Sequence, residues 1–112
     1  MTIAQIQPID FSKWASTHES KPILLDVREP WELQLAKVAP EGVHLIHIPM
    51  GSLPASLDQL PSDAAIAVLC HHGVRSQRVA YYLISQGYSQ VYNVAGGIDA
   101  WAAQVDRQIG VY

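Results

Sequence analysis

Short apolar runs alternate with amphipathic segments along this chain of 112 residues. Two of the runs, at residues 23–25 and 65–69, are uninterrupted, which is typical of parallel strands covered on both faces. Weaker patterns predict strands at 3–6, 43–48 and 90–94. Capping residues and helical spacing predict helices at 11–18, from Pro30, at 52–59, after Ser76 and up to Trp101. This alternation predicts an α/β fold in which helices cover a parallel sheet.

A single cysteine, Cys70, stands at the end of the second buried run. Without a second cysteine the chain cannot form an intrachain disulfide or a zinc site built on several thiolates. Two interpretations remain, an inert core thiol and a nucleophile. Cysteine is among the most buried residue types, so the inert interpretation is the ordinary one for a cysteine at a strand end.

The residues after Cys70 favour the nucleophile. The predicted loop from Cys70 to Arg75 contains Gly73, which permits a tight turn and leaves backbone N–H groups accessible. Those groups and the start of the following helix suit an anion such as a thiolate. Arg75 and Arg78 stand where a cation opposes the helix dipole, at a cost of roughly 0.3–1 kcal/mol. In a chain of net charge −3 this placement indicates a local anion, either the thiolate or a substrate.

Composition narrows the classes of partner and compartment. Hydrophobic residues make up 49% of the chain and charged residues 15%, which is ordinary for one globular domain. A pI near 5.9 argues against a nucleic-acid partner, and no run reaches the ~20 apolar residues of a membrane span. The first residues lack a basic stretch followed by an apolar core, and one free cysteine fits a reducing compartment. We therefore expect a cytoplasmic protein with no nucleic-acid and no membrane partner.

Three separated blocks of the chain resemble the rhodanese-like sulfurtransferases. Residues 25–29, Leu-Asp-Val-Arg-Glu, with Glu32, are similar to the family's D-V-R-E-x-x-E stretch. Residues 70–76, Cys-His-His-Gly-Val-Arg-Ser, are similar to its C-x-x-G-x-R-[ST] loop, and residues 94–101 to its late G-G-x-x-x-W segment. The order and spacing of the blocks also match. Residues 34–45 depart from the pattern that precedes the middle strand in many members, so the entry to that strand is not predicted.

The resemblance implies a fold and an activity. The fold would be a three-layer rhodanese-like domain over residues 1–112, with a central, mainly parallel five-stranded sheet flanked by helices. Cys70 would be the catalytic residue, accepting a sulfane sulfur from thiosulfate or a related persulfide donor and passing it to cyanide or a thiol. Arg75 would bind the sulfonate end of the donor, and no cofactor is implied. The loop that binds the substrate would comprise His71, His72, Gly73, Val74, Arg75 and Ser76.

Other polar residues have more modest interpretations. We expect supporting roles for Asp26, which would cap backbone groups near the site, and Arg28, which would pair with a carboxylate such as Glu32. His71 and His72 are expected to face solvent while their backbone N–H groups act on the substrate. No metal site is expected, because no further cysteine and no suitably spaced acidic residue accompanies the two histidines. Asn93 is expected to fix a turn beside the cleft.

Two further functional hypotheses stay open. Cysteine phosphatases of a related fold have five residues between cysteine and arginine, whereas four lie between Cys70 and Arg75, so the loop favours sulfur over phosphate. An arsenate reductase is disfavoured because the chain has no second thiol to resolve an intermediate. The main alternative to an enzyme is a persulfide carrier or sensor, which would act with a sulfur-accepting protein and turn over small donors poorly.

Overall fold

The computed structural model describes residues 2–112 of the chain, which form one five-stranded sheet with helices on both faces. The strands are β1 (Ala4–Ile6), β2 (Ile23–Asp26), β3 (His44–His47), β4 (Ile66–Leu69) and β5 (Val91–Val94). The α-helices are α1 (Phe11–Ser16), α2 (Pro30–Leu35), α3 (Val74–Ser85) and α4 (Gly97–Gln104). Short 3₁₀ segments lie at Pro8–Asp10, Met50–Ser52, Pro54–Gln59 and Arg107–Ile109. Within residues 2–112, no helix has both the length and the apolar character needed to cross a bilayer.

The order of the strands places a topological switch point at the carboxyl ends of β2 and β4. All neighbours in the sheet are parallel and follow the order β1-β5-β4-β2-β3, as the predicted parallel sheet requires. The chain therefore moves outward from β2 to β3 in one direction and from β4 to β5 in the other. Ligands of open α/β sheets bind where this direction reverses. Cys70 follows β4 at this point and lies beside Val27, whose N–H donates to the Leu69 carbonyl at 3.0 Å.

Two apolar clusters give the domain its predicted three layers. Successive side chains of a strand point to opposite faces, so β2 and β4 supply both clusters. Leu25 and Val68 pack on one face with Leu83 of α3, and the whole cluster is completed by Leu53 and Leu60 from the 3₁₀ region. On the other face the buried residues come from β2, β4, α1 and α4 and include Leu24, Leu69, Phe11 and Trp101.

Several predicted boundaries differ from the structure. The helix predicted at 11–18 ends at Ser16, and Asp10 makes no side-chain capping bond because its backbone is already helical rather than extended. The helix predicted at 52–59 is instead two 3₁₀ segments, held by bonds between residues three apart such as Ser56 N–H to the Leu53 carbonyl at 2.9 Å. Neither difference falls within the segment from Cys70 to Ser76.

One boundary difference changes the site. Helix α3 begins at Val74, so the loop predicted to reach Arg75 is shorter. Gly73 adopts a φ of +96°, which turns the chain directly into the helix and is readily available only to glycine. Arg75 and Ser76 therefore belong to the first turn of α3. Gly87, with a φ of +97°, ends the region of α3 as predicted.

The start of α4 is hydrogen-bonded to the loop that follows β4. The N–H of Ile98 donates to the carbonyl of Cys70 at 2.9 Å, and the N–H of Asp99 donates to the carbonyl of His71 at 3.1 Å. Both N–H groups belong to the first turn of a helix, where they have no partner within the helix. The loop is therefore hydrogen-bonded to α4 through its carbonyls.

This contact requires a glycine at the start of α4. Gly97 has a φ of +61°, and a Cβ at that position would overlap the carbonyl of His71 and come to 2.5 Å from the Cys70 carbonyl oxygen. No real Cβ approaches a backbone oxygen so closely, so a side chain here must push α4 away from the loop. Gly97 thus permits a close contact with the cysteine loop, although it lies more than twenty positions from Cys70 in the sequence.

We expect Gly97→Ala to destabilise the protein far more than Gly87→Ala. Both positions have positive φ, which costs about 1–2 kcal/mol for a side chain, but a Cβ at Gly87 meets nothing within 4 Å. Overpacking adds to that cost only at Gly97, for a total of about 3 kcal/mol or more. Urea unfolding of the two variants measures the difference. Equal losses of unfolding free energy would show that α4 does not press on the loop.

Candidate active site

Cys70 lies buried at the end of β4, with two hydrogen-bonding groups at its sulfur. Its residue is 1% exposed. The N–H of Gly73 donates to Sγ at 3.0 Å, and the hydroxyl of Ser76 lies 3.2 Å from the same atom. The strand end, the loop glycine and the first turn of α3 thus bring together three of the residues predicted for the site. A backbone N–H aimed at sulfur is a donor suited to added negative charge on it.

The bonds to α4 also decide where the loop's own N–H groups point. In a trans peptide the C=O and the N–H of one plane are antiparallel. The carbonyls of Cys70 and His71 point to α4. The N–H groups of His71 and His72, which belong to the same two planes, therefore point away from α4. The N–H groups of His71 and His72 are thus oriented by a helix that supplies no reacting group.

Arg75 forms a two-pronged ion pair with Glu32 of α2. Its Nη1 and Nη2 donate to Oε2 and Oε1 of Glu32, each at 2.7 Å. The Glu32 side chain is 3% exposed and the Arg75 side chain 30%. The hydrogen bonds from Arg75 lower the pKa of Glu32 to about 2, and the same bonds raise the pKa of Arg75. The side of the guanidinium that would best receive a sulfonate is occupied, so binding of a donor by Arg75 stays a prediction.

Helix α2 orients Glu32 through a capping box. The N–H of Glu29 donates to Glu32 Oε2 at 2.8 Å, and the Glu29 side chain accepts in turn from the backbone at Glu32. The signal was present in the sequence, because Glu at the N-cap and Glu three positions later bracket Pro30. The hydroxyl of Tyr112 donates to the remaining oxygen of Glu32 at 2.9 Å.

Arg28 pairs with a carboxylate as predicted, but the partner is Asp26 and not Glu32. Nη2 of Arg28 donates to Asp26 Oδ2 at 2.8 Å, while the backbone N–H of Arg28 donates to Oδ1 at 3.1 Å. Asp26 thus receives a backbone N–H, as expected of a capping residue. The partners are divided in this way because the capping box turns Glu32 toward Arg75 and leaves Asp26 for Arg28.

The fully buried Arg28 has further partners that hold it in place. Its Nη1 donates to the carbonyl of Ala36 at 2.8 Å and lies 3.0 Å from the hydroxyl of Tyr112. Burial alone would lower the pKa of Arg28, but the hydrogen bonds to Asp26 and Tyr112 raise it. His47 of β3 contacts the Arg28 carbonyl at 2.6 Å. These contacts hold the buried Arg28 side chain in one position.

Tyr112 packs on the loop, which the sequence did not reveal. Its ring stacks on His71 with centroids 3.8 Å apart and planes 9° from parallel, and His71 in turn stacks on His72 at 3.8 Å. His71 is half-buried rather than facing solvent as predicted, whereas His72 is exposed. Partial burial, followed by the nearby His72, lowers the pKa of His71, and burial raises the pKa of Tyr112. No motif surrounds Tyr112, so only the folded structure shows its place.

The two histidines lie near Asp99, and the three side chains offer ligand atoms within 4.8 Å of one another. The lone pairs of an imidazole lie in the plane of its ring. Because the rings of His71 and His72 stack, they would have to unstack before both could bind one ion. The expected absence of a metal stays a prediction.

Asn93 contacts the turn at Gly73, as predicted, but does so from a strand rather than from within the turn. It lies in β5, is 4% exposed, and accepts a hydrogen bond from the hydroxyl of Ser76. Its Nδ2 donates to the carbonyl of Gly73 at 3.3 Å. A side chain of β5 thus forms hydrogen bonds with Ser76 and Gly73, the two residues that contact Sγ of Cys70. A lone polar residue in a short strand gives no sequence signal for this role.

We expect Glu32→Gln to lower stability at neutral pH by about 1.5–3 kcal/mol, since it weakens a buried, charge-assisted pair. The pKa of Glu32 falls from 4.5 to about 2 on folding, so its carboxylate stabilises the fold fully above pH 4.5. That stability is lost as the pH falls from 4.5 through about 2. Urea unfolding of both proteins between pH 7 and pH 2 should show the difference shrinking in this window. A difference that does not depend on pH would contradict the ion pair.

Comparisons with known proteins agree with this geometry. A family model described as a rhodanese-like domain matches residues 10–104. Thiosulfate sulfurtransferase GlpE of Vibrio cholerae serotype O1 is 34% identical over 87 residues, which is 78% of this chain and 78% of that protein. The reduced CoADR-RHD of Bacillus anthracis is 29% identical with a TM-score of 0.79, covering 98% of this chain and 18% of that chain. An NAD-dependent persulfide reductase from A. fulgidus is 31% identical with a TM-score of 0.65.

The extent of the matches differs between the relatives. The persulfide reductase matches 88% of this chain and 16% of its own, so this chain spans less than a fifth of each of the two solved proteins. In contrast, it spans most of the Vibrio enzyme. From the family match over 10–104 and the identity to the Vibrio enzyme it follows that this chain belongs to the rhodanese-like domain family.

Proposed function

We propose that the protein is a sulfurtransferase that carries a sulfane sulfur on Cys70 between thiosulfate, or a related persulfide donor, and cyanide or a thiol acceptor. The observation that supports this most is the Gly73 N–H at 3.0 Å from Sγ of a single buried thiol, at the carboxyl end of β4. Membership of the family supports the sulfurtransferase class, and the Vibrio relative is named for thiosulfate.

The transfer takes two displacement steps. In the first, Sγ of the Cys70 thiolate attacks the sulfane sulfur of thiosulfate. A bond forms between these two sulfurs, and the bond to the rest of the donor breaks, so that its electron pair leaves with sulfite. In the second, the lone pair of cyanide or of a thiolate attacks the outer sulfur of the persulfide. The bond to Sγ breaks and the Cys70 thiolate is restored, so no cofactor or external oxidant is required.

The loop after Cys70 would hold the outer sulfur while it carries negative charge. The donors available are the N–H groups of His71 and His72, whose directions follow from the contacts with α4, and the N–H of Gly73, which donates to Sγ. Preorganised backbone donors of this kind stabilise charge without having to reorient during reaction. Val74 and Ser76 complete the proposed loop from the first turn of α3, and Val74 is exposed at its rim.

The tightness of this loop supports sulfur over phosphate as the transferred group. Only His71 to Val74 separate Cys70 from Arg75, and the N–H of Gly73 already reaches Sγ. A tetrahedral phosphate bonded to Sγ would need room for three further oxygens. A single sulfur atom needs less.

A persulfide carrier is the second candidate. The observation in its favour is that the domain corresponds to less than a fifth of two solved proteins, one of them named as a persulfide reductase. A carrier would pass its sulfur to a protein acceptor. The burial of Cys70 favours the enzyme, since a small acceptor reaches a buried sulfur more easily than the thiol of a folded protein does.

We expect the wild-type protein to gain the mass of one sulfur atom after incubation with thiosulfate and to lose it on addition of cyanide. Cys70→Ser, with its fold checked by circular dichroism, should gain no mass. Intact-mass spectrometry measures both. An enzyme should also turn over many times with thiosulfate and cyanide, whereas a carrier should load once and stop. A loaded Cys70→Ser variant, or no loading of the wild type by thiosulfate, glutathione persulfide or polysulfide, would refute the proposal.

We expect Arg75→Ala and Glu32→Gln to lower sulfur transfer from every donor by a similar factor, about tenfold or more, because each breaks the pair that shapes the first turn of α3. Steady-state kinetics with thiosulfate and with glutathione persulfide tests this. If Arg75 instead binds the sulfonate end of thiosulfate, Arg75→Ala should raise KM for thiosulfate alone. Glu32→Gln should then leave that KM unchanged or lower it.

A further inference from the structure

A buried chain of hydrogen bonds leads from Cys70 into the sheet. Sγ of Cys70 lies 3.2 Å from the hydroxyl oxygen of Ser76, and this hydroxyl donates to Oδ1 of Asn93. Ser76 is 0% exposed and Asn93 4%. All three side chains are therefore buried, and each hydrogen bond named here joins one of them to the next.

The direction of the hydrogen bonds is fixed by backbone groups. Nδ2 of Asn93 donates to the carbonyl of Gly73, and a carbonyl can only accept. Gln5 fixes the same orientation of the Asn93 amide. Its Nε2 donates to the carbonyl of Ile3 at 3.1 Å, so its Oε1 is the atom that accepts from Asn93 Nδ2 at 3.0 Å. Both anchors place the amide nitrogen of Asn93 away from Ser76. The atom facing Ser76 is therefore the oxygen Oδ1, which carries no proton.

This direction determines what Ser76 can offer to Cys70. A hydroxyl has one proton, and Ser76 gives it to Asn93. The contact between Ser76 and Cys70 is thus a bond from the S–H to the hydroxyl oxygen. When Cys70 ionises, that S–H is lost. The Ser76 hydroxyl then has two orientations. It can keep its proton on Asn93 and direct its lone pairs at the thiolate, or it can turn its proton to sulfur and leave the buried acceptor on Asn93 without a donor.

We propose that Asn93 is a positioning residue that competes with the Cys70 thiolate for the hydroxyl proton of Ser76 and so sets how readily Cys70 ionises. The inference deepens the proposed function and rests on it, in that the thiolate is the attacking group. Asn93 touches no substrate in this scheme. Its effect reaches Cys70 only through Ser76.

Other charged or titratable groups surround Cys70 and must stay constant in any test. From α2 and α3 come the paired Glu32 and Arg75, and from the end of β2 the paired Asp26 and Arg28. The loop and the elements packed on it add His71, His72, Asp99 and Tyr112, and α3 adds Arg78. None of these side chains has a contact with Asn93 among the hydrogen bonds described above, so replacing Asn93 removes no hydrogen bond to any of them.

The test is the pH dependence of Cys70 alkylation by iodoacetamide, which requires no sulfur donor. Asn93→Leu keeps the approximate size of the side chain and removes the acceptor, so the Ser76 proton is free for the thiolate. We expect the midpoint of the pH profile to fall by about one unit, which corresponds to the usual penalty for an unpaired buried acceptor. In the Ser76→Ala background, Asn93→Leu should leave the midpoint where it was.

Two further variants act as controls. Gln77→Leu removes a different acceptor of Asn93 Nδ2 and leaves Oδ1 facing Ser76, so the midpoint should not move. Asn93→Asp retains an acceptor and adds charge, so the midpoint should rise, and by less in the Ser76→Ala background. It also provides the test if Asn93→Leu fails to fold, as judged by circular dichroism.

The proposal would be overturned by equal shifts for either Asn93 variant with and without Ser76, or by no shift or a rise for a folded Asn93→Leu. Because alkylation is measured without a donor, these outcomes are independent of sulfur transfer. A protein that alkylates as expected but never loads sulfur would refute the proposed function and leave the role of Asn93 standing.

Discussion

Two hydrogen bonds from the start of α4 to the carbonyls of Cys70 and His71 are the contact on which the site depends. They use N–H groups that a helix leaves free, and they set the peptide planes of the loop. The N–H groups of His71 and His72 are then turned away from α4. The contact demands a glycine at Gly97, and the left-handed Gly73 completes the turn into α3.

The charged side chains of Arg75, Glu32, Arg28 and Asp26, near this loop, form ion pairs with one another. Arg75 is paired with Glu32, and Arg28 with Asp26, while Tyr112 contacts both pairs through its hydroxyl. Because the charge of Arg75 is compensated, stabilisation of an extra sulfur falls mainly to neutral donors. Backbone N–H groups suit that task, since they have no countercharge and are held rigidly by α4 and by the helix that follows.

The sequence predicted the parts of the molecule that depend on local pattern. The buried runs before Asp26 and Cys70 predicted the two central strands, and their parallel arrangement predicted that Arg28 and the cysteine loop share one edge of the sheet. Gly73 was predicted in the loop and lies there, whereas Arg75, predicted at the end of the loop, lies in the first turn of α3. The resemblance to the family added the expected activity, which the pattern of apolar residues could not supply.

What the sequence missed depends on contacts between distant segments. Arg28 was expected to pair with a carboxylate such as Glu32, but the capping box orients Glu32 toward Arg75, and the partner of Arg28 is Asp26. Tyr112 has no local motif, and Asn93 is a single polar residue whose meaning comes from lying under Ser76. Their roles follow from tertiary geometry, which no periodicity records.

The most direct test of this account is a crystal structure of the protein after loading with a sulfane sulfur. We expect the outer sulfur to lie within hydrogen-bond distance of the backbone nitrogens of His71, His72 or Gly73, with Arg75 still paired to Glu32 and the loop still bonded to α4. An outer sulfur that points to solvent without backbone contacts, or that is held by an Arg75 released from Glu32, would contradict the account.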